Sequence, residues 1–296
     1  MPVTVEVCGR PVTYDKVPNR AVSHDMNISE IMFALDLQPR MAGVTGITGW
    51  YKMTEGFRRA MGTLPELAPR YPSIETLVAA GADFYFAGWY YGMRPGGDVT
   101  PDALATFGIA SYVLSESCVH VGKLAPTATL DLLYRDVSNI GRIFGRDDEA
   151  AAMVASFRER VAAVTRHVAG APRPRVFVLD SGEENPFTAA RAAMPTAIID
   201  AAGGRNVLDD VAMSWGRVGW EAVIERDPEF VVVVGYQDKS WRDRWAFFRA
   251  HPALRDVTAA REGRVLVLGY TELTPGPKNI PAIEKLARAL HPERFK

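Results

Sequence analysis

The side chains best equipped to hold a small molecule fall just after stretches that read as buried strands. The first half supplies His24, Trp50, Trp89, Tyr91 and Arg94. The second supplies Arg191, Tyr236 and Tyr270, joined by Trp215 and Arg217 of "SWGR", which precedes a repeated helix–strand unit. In an open parallel sheet the residues beyond the carboxyl ends of the strands form the ligand crevice. Indole and phenol rings there offer a flat apolar face with one polar handle, and guanidinium groups grip carboxylate or phosphate. A single ring is more often packing, but a cluster of large rings in exposed loops needs a reason. The set suits a bulky, partly flat, anionic ligand.

Signatures of catalysis do not accompany it. There is no G-x-S-x-G and no Walker A pattern, and "GVTGITG" lacks the dinucleotide spacing. No nucleophile stands beside a base, which favours binding over enzymatic chemistry. The rival reading is a two-domain α/β enzyme such as a nucleotide-sugar transferase, which requires a phosphate-binding glycine loop at a helix start. Of the five histidines only His24 and His120 fall in strand-end loops. A bare transition metal wants three or four ligands, so no metal site is assigned.

The elements that must position these residues alternate in type. Apolar runs such as "DFYFAG" and "EFVVVVG" predict strands buried on both faces, hence parallel sheets. Between them lie amphipathic helices: Asn27 or Ser29 caps the first, Ser73 and Thr100 cap later ones, and Pro101 opens one. "APTATLDLLYRDVSNIGRIFG" reads as a longer helix, followed by another from Asp147 to Gly170. After it the βα alternation restarts. The fold class is α/β: two Rossmann-like lobes with mainly parallel sheets, joined by a single long backbone helix. The expected boundaries are 1–145, a connecting helix over 146–170, and 171–296.

With 296 residues, 48% of them apolar, the chain can fill one large core or two ordinary ones. A net charge of −1 gives no electrostatic case for nucleic acid. The opening "MPVTVEVCGRPVTYD" has neither the basic nor the apolar region of a secretory leader. Cys8 and Cys118 are either two unrelated thiols or a disulfide, and a bridge implies an oxidising compartment.

One unit is written twice. "YPSIETLVAAGADFYFAGW" and "GWEAVIERDPEFVVVVGY" each open a short helix with a Glu, Glu75 or Glu221. Eight residues later each carries an acid, Asp83 or Glu229, and then enters a strand at a Phe. Together with "VEVCGRPVTYDKVPNRAVSHDMNISEIMFALDL", "NIGRIFGRDDEAAAMVASF" and "AAGGRNV", these segments resemble the class III substrate-binding proteins of ABC importers. That family's branches serve ferric siderophores, haem and cobalamin. The resemblance spans nearly the whole chain and rests on the order and spacing of the segments.

The resemblance implies a solute-binding component that captures an iron-siderophore or similar metal chelate in a cleft between its lobes, with haem and corrinoids as alternatives. It implies no resident cofactor and a monomer in the periplasm, or lipid-anchored outside the membrane. It also implies a permease dimer as partner, whose arginine pockets receive Glu75 and Glu221. Two features depart from the pattern. "SHDMN" stands where a small Ser-Pro type loop is usual, and "GWYYGMR" is richer in aromatics.

Overall fold

The computed structural model describes residues 2–237 and 241–296. Contacts divide the chain into two units, Met1–Lys123 with Asp131–Ala155, and Leu124–Leu130 with Ser156–Lys296.

The first unit opens with the antiparallel hairpin β1 (Val3–Val7) and β2 (Arg10–Tyr14). Then come β3 (Ala21–His24), α1 (Met26–Ala34), β4 (Met41–Thr45), α2 (Glu55–Met61), β5 (Glu66–Ala68) and α3 (Ile74–Ala79). They lead into β6 (Phe84–Trp89), β7 (Gly92–Met93), α4 (Pro101–Ala105), β8 (Ala110–Val113) and α5 (Asp131–Phe144). The main strands pair in parallel in the order β5-β4-β3-β6-β8, with the short β7 also on β6. The chain starts this sheet at β3 and builds outwards both ways, so the order reverses between β3 and β6. Such a reversal opens the crevice in which α/β sheets bind ligands. All six residues of β6 are buried, as a strand covered on both faces requires. Thr54, Ser73 and Thr100 cap α2, α3 and α4 through their hydroxyls, which accept from Phe57, Thr76 and Ala103 N–H. The first helix differs from its expected cap: Asp25, not Asn27 or Ser29, accepts from the Met26 N–H.

The second unit takes in most of α6 (Asp147–Val168), a 22-residue helix that changes unit between Ala155 and Ser156. It continues through β9 (Arg175–Leu179), β10 (Phe187–Ala189), α7 (Met194–Ala201), β11 (Arg205–Asn206) and β12 (Trp215–Arg217). Next are α8 (Trp220–Arg226), β13 (Phe230–Gly235), α9 (Trp241–Ala250), α10 (Thr258–Glu262), β14 (Val265–Gly269), α11 (Tyr270–Leu273) and α12 (Asn279–Leu290). Its sheet is parallel in the order β11-β9-β13-β14, again with the first strand inside and a reversal, here between β9 and β13. β10 and β12 form a separate antiparallel ribbon. Val231 to Val234 are all buried, and Phe177, Trp220 and Phe248 pack together beside the sheet.

The stretch 124–130 departs from the sequence reading. The spacing predicts helix from Ala125, but the helix begins only at Asp131. The chain joins the second unit there instead, where Ala128 N–H donates to Arg191 O and Arg191 Nε donates to Ala125 O. Pro126 lacks the amide a helix interior would use.

The duplicated sequence unit is a duplicated structure. Arg20, just before β3, donates from Nε to the carbonyls of Ala80 and Gly81 at the end of α3. Arg175, at the start of β9, donates from Nε to the carbonyls of Arg226 and Asp227 at the end of α8. The repeated acid completes the clamp. Asp83 accepts from the Arg20 N–H and Glu229 from the Arg175 N–H, each at 2.9 Å. Each acid's own N–H returns to the arginine's carbonyl. Carbonyls that a helix end leaves without partners are thereby satisfied by the neighbouring strand.

Cys8, in the β1–β2 turn, is bonded to Cys118, which lies beyond β8, across 110 residues. The anchor on the β8 side is itself firm: buried Asp136 of α5 accepts from Tyr112 Oη and from Ser115 Oγ and N. A covalent loop of that length removes denatured-state entropy worth on the order of 4–5 kcal/mol. Replacing both cysteines by Ser is expected to lower the unfolding free energy by about 3–5 kcal/mol in urea titrations. The same titration midpoint with and without the bridge would contradict this.

Candidate ligand-binding site

The β3 strand delivers its last residue, His24, into a slot rather than to the surface. The ring is 1% exposed, and its Nδ1 is 2.8 Å from Thr45 Oγ1 at the end of β4. Two glycines make the slot. A Cβ on Gly46 would lie 2.2 Å from His24 Cε1, and one on Gly92 would lie 2.5 Å from His24 Cγ. Both glycines have positive φ, +79° and +95°, so a side chain there is excluded twice over. Burial pushes the imidazole pKa down to about 4, with Lys52 adding to the lowering and Asp25 opposing it. The ring is therefore neutral at pH 7.

Next in the chain, Asp25 adopts φ 71°, accepts from Lys52 Nζ at 2.7 Å and donates its own N–H to Thr45 O. Ser29 Oγ donates to Asp25 O, and Ser23 and Ser29 hydroxyls meet at 2.7 Å. The "SHDMN" loop is thus pinned from several sides. His24 is an internal support instead of the expected surface contact. It bears edge-on against Tyr71, ring centroids 5.0 Å apart at 83°, and the Arg94 guanidinium carbon lies 5.0 Å from the centre of the same Tyr71 ring. Sequence reading missed Tyr71, Arg70 and Lys52. Tyr71 precedes a Pro-Ser helix start, where a ring reads as a staple for the helix.

The other expected residues of this unit divide into exposed and buried. Trp50 is 37% exposed in the turn after β4 and lies beneath Arg70 at 4.7 Å. Trp89 ends β6 and is 9% exposed; its backbone N–H donates to Ser117 Oγ, while its indole N–H has no acceptor among the described residues. Tyr91 is buried and its carbonyl accepts from Gly88 N–H in the β6–β7 turn. Two further rings of these strand-end loops, Tyr51 and Tyr90, are both exposed and both held at positive φ, 56° and 65°. Strained backbone of this kind clusters at ligand sites. Trp50, Arg70, Tyr71 and Arg94 line a cavity of about 600 Å³.

In the second unit, Tyr236 donates from its hydroxyl to Asp180 at 2.7 Å, joining the ends of β13 and β9 at the reversal point. Tyr270, after β14, packs against it with centroids 5.7 Å apart. Trp215 stacks on Phe187 across the β10–β12 ribbon, and its buried indole N–H has no acceptor among the described residues. Arg217 lies over the same Phe187 and donates to Asn185 O. Arg191 does not stand free as expected, because its guanidinium holds the segment 124–130 through Ala125 O. The residue missed here is Arg244 of α9. It donates to Asp180 O and Val234 O, bridging β9 and β13, and with Arg217 and the loop Ser181–Asn185 it lines a cavity of about 800 Å³. Its helix reads only as amphipathic, and periodicity says nothing about which strand ends a helix overhangs.

Glu75 and Glu221 both occupy the first turn of their short helices and are exposed. The Glu75 carboxyl is held below its ordinary range by its own backbone amide and by Ser73. Among the described residues no group of three or more His, Cys, Asp or Glu is arranged to hold a metal ion, and no helix is long and apolar enough to cross a membrane.

Comparison with known proteins fits this geometry. The sequence pattern of the periplasmic binding proteins matches residues 98–270. A cobalamin-binding protein of Halobacterium salinarum is 25% identical over 286 residues, covering 95% of this chain and 71% of that protein. A periplasmic binding protein of Veillonella parvula superimposes with a TM-score of 0.84 at 25% identity, covering 98% of both chains. A structure from the Fe3+-hydroxamate transport system of Saccharomonospora viridis gives 0.82 at 25% identity, over 98% of this chain and 99% of that one.

Burial of His24 has a pH signature. Its folded pKa of about 4 lies below the ordinary value of 6.5, so the unfolded chain takes up a proton that the folded one refuses. The stability this contributes is complete above about pH 6.5 and is lost as pH falls, on the order of 3 kcal/mol by pH 4. In urea unfolding the stability gap between the native protein and His24→Asn should close by that order between pH 7 and pH 4. A gap independent of pH would refute the buried, neutral ring.

Proposed function

The chain belongs to the periplasmic binding protein family, and from that premise we propose that it captures a bulky metal chelate, a corrinoid first among them, and delivers it to an ABC importer. The observation that carries the ligand class is the ring-bearing edge of each sheet. Trp50, Tyr51 and Tyr90 follow strands of the first unit and Trp89 ends one; Tyr236 and Tyr270 follow strands of the second, and Trp215 opens a strand of its separate ribbon. Aromatic faces suit a wide apolar macrocycle. The cobalamin-binding relative from Halobacterium salinarum supports that order of preference. A ferric hydroxamate is the second reading, favoured by the Saccharomonospora viridis structure.

In this reading the protein binds rather than catalyses. It works as a monomer on the outer side of the cytoplasmic membrane, free in the periplasm or lipid-anchored. Its macromolecular partner is the permease dimer, and Glu75 and Glu221 are the two contacts. Their equivalent placement on clamped helices supports this role over simple helix-end stabilisation, which is worth a few tenths to about 1 kcal/mol each.

Thermal melting with cyanocobalamin, ferrioxamine and haemin tests the ligand class. Cyanocobalamin at about a hundredfold its Kd should stabilise the fold by roughly 2.7 kcal/mol. A melting temperature unmoved by every one of these chelates would remove the proposal. The Glu75→Ala, Glu221→Ala double variant should keep its ligand affinity and lose uptake in reconstituted transport. Weakened ligand binding in that variant would count against the docking role.

A further inference from the structure

The turn that follows β8 lies against the aromatic rim of the first unit and is itself held by groups that take no part in that rim. It is the 3₁₀ turn Ser115–His120, entered from β8, which pairs with β6. Leu114 N–H donates to Ala87 O at 2.8 Å. Ser117 Oγ donates to Leu114 O at 2.7 Å and accepts from the Trp89 backbone N–H at 2.9 Å, so one hydroxyl joins the turn to the end of β6. The fit leaves no slack: a Cβ on Gly88 would lie 2.8 Å from Ser117 Oγ and 3.0 Å from Leu114 Cβ. At the far end of the turn His120 meets Tyr90 edge-on, with ring centroids 4.7 Å apart at 77°. Trp89 and Tyr90 are thus carried by the turn as well as by their own strand. Tyr90 requires such support, because a tyrosine adopts its φ of 65° only at a cost.

The turn is fixed at two further points. At its start the Asp136 carboxylate of α5 accepts from Ser115 N–H at 3.1 Å and from Ser115 Oγ at 2.7 Å. Further on, Cys118 is bonded to Cys8 of the β1–β2 turn, which makes the hairpin a tether. The entropy a bridge removes depends on the length of the loop it closes, not on what its ends touch. Here the end stands between Ser117 and His120, the two side chains that reach the rim. We propose that Ser115–His120 is the positioning element of the Trp89–Tyr90 rim, and that the rim is set for capture only while the Cys8–Cys118 bond is closed. The proposal deepens the chelate-binding reading and rests on it for the ligand, though not for the dependence of the rim on the bond. Both cysteines are partly exposed, which admits a small reductant. A dithiol opens the bridge by passing it two electrons and two protons, leaving Cys8 and Cys118 as thiols and itself as a cyclic disulfide. Asp136 still holds the start of the turn, but its far end loses the hairpin, and the slack passes through Ser117 and His120 to Trp89 and Tyr90. A rim with slack has more freedom to lose on binding.

Fluorine NMR of the whole protein labelled with fluorotryptophan reads the rim directly, with the Trp89 resonance assigned by Trp89→Phe. Once dithiothreitol has released both thiols, and with far-UV circular dichroism unchanged, that resonance should shift or broaden. Trp50 of the same unit and Trp220 of the other should keep theirs, which a general loosening of the fold would not allow. The Cys8→Ser, Cys118→Ser double variant should match the reduced protein. Ser117→Ala, which keeps the bond, should move the Trp89 resonance too, and it serves if the open forms do not fold. A Trp89 resonance unmoved in Ser117→Ala, or one that moves only together with Trp50 and Trp220, overturns the positioning role. Movement in Ser117→Ala but not on reduction overturns the part given to the bond. Cyanocobalamin is the probe for capture, and it should bind the reduced protein and Ser117→Ala about tenfold more weakly than the native protein. Equal affinity in all three forms overturns the link between rim and capture while leaving the chelate reading intact. A Trp89 resonance that moves as expected in a protein that binds no cyanocobalamin leaves the positioning role standing and removes the corrinoid reading.

Discussion

Two arginines hold the frame on which everything else is placed. α3 and α8 are 6 and 7 residues long, well below the length at which a helix persists by itself in water. Each is held because Arg20, just before β3, or Arg175, the first residue of β9, reaches its last carbonyls, while an acid at the start of the central strand takes that arginine's backbone N–H. Each clamp therefore ties three things at one point: the start of the first strand, the end of the helix and the start of the central strand. The register of β3 on β6 and of β9 on β13 follows from the clamp, with Ala21 opposite Phe84 and Val176 opposite Phe230. Fixing the starts of these strands fixes where their carboxyl ends emerge, and hence the places of His24 and Trp89 in one unit and of Asp180 and Tyr236 in the other.

From those ends outward the site is built in tiers. Residues that never meet solvent hold those that do: His24 supports Tyr71, Tyr71 backs Arg94, and Asp180 fixes Tyr236. Such support restrains the rings and guanidiniums before a ligand arrives, and a restrained site loses less entropy on binding. The exposed tyrosines at 51 and 90, kept in left-handed backbone conformations, are a further sign that the rim is held against local preference.

The sequence was most legible where one physical pattern has one meaning. Apolar runs bounded by turn residues located both parallel sheets, and Ser73, Thr100 and Pro101 marked helix starts as hydroxyl caps and first-turn prolines do. The duplication of Glu75 and Glu221 was visible in the letters, but the purpose of the acid eight residues later was not. It depends on an arginine more than 50 residues away in sequence, and no local rule reaches that far. The site was half legible. Trp50, Arg94 and Tyr236 could be found as strand-end residues, and Trp215 and Arg217 from the segment before the repeated unit, yet direction was invisible: His24 turns inward and Arg191 turns to a neighbouring segment. Arg70, Tyr71 and Arg244 escaped because their local surroundings read as helix caps or helix faces. The stretch 124–130 misled because its spacing looks helical while its amide and carbonyl partners lie in another unit.

The slot around His24 also constrains how this sequence can change. The ring occupies volume that two separate loops have given up, and neither Gly46 nor Gly92 can acquire a side chain while an imidazole stands at 24. Those three positions are one mutational unit. Loss of the ring to a small residue such as Ser would leave Tyr71 without its buttress, and even then the positive φ of both glycines, with Tyr85 Oη 2.4 Å from a Cβ at position 92, would keep side chains out of the loops. Any change in either loop must therefore wait on a change at position 24 and on a new backbone path, and cannot precede them.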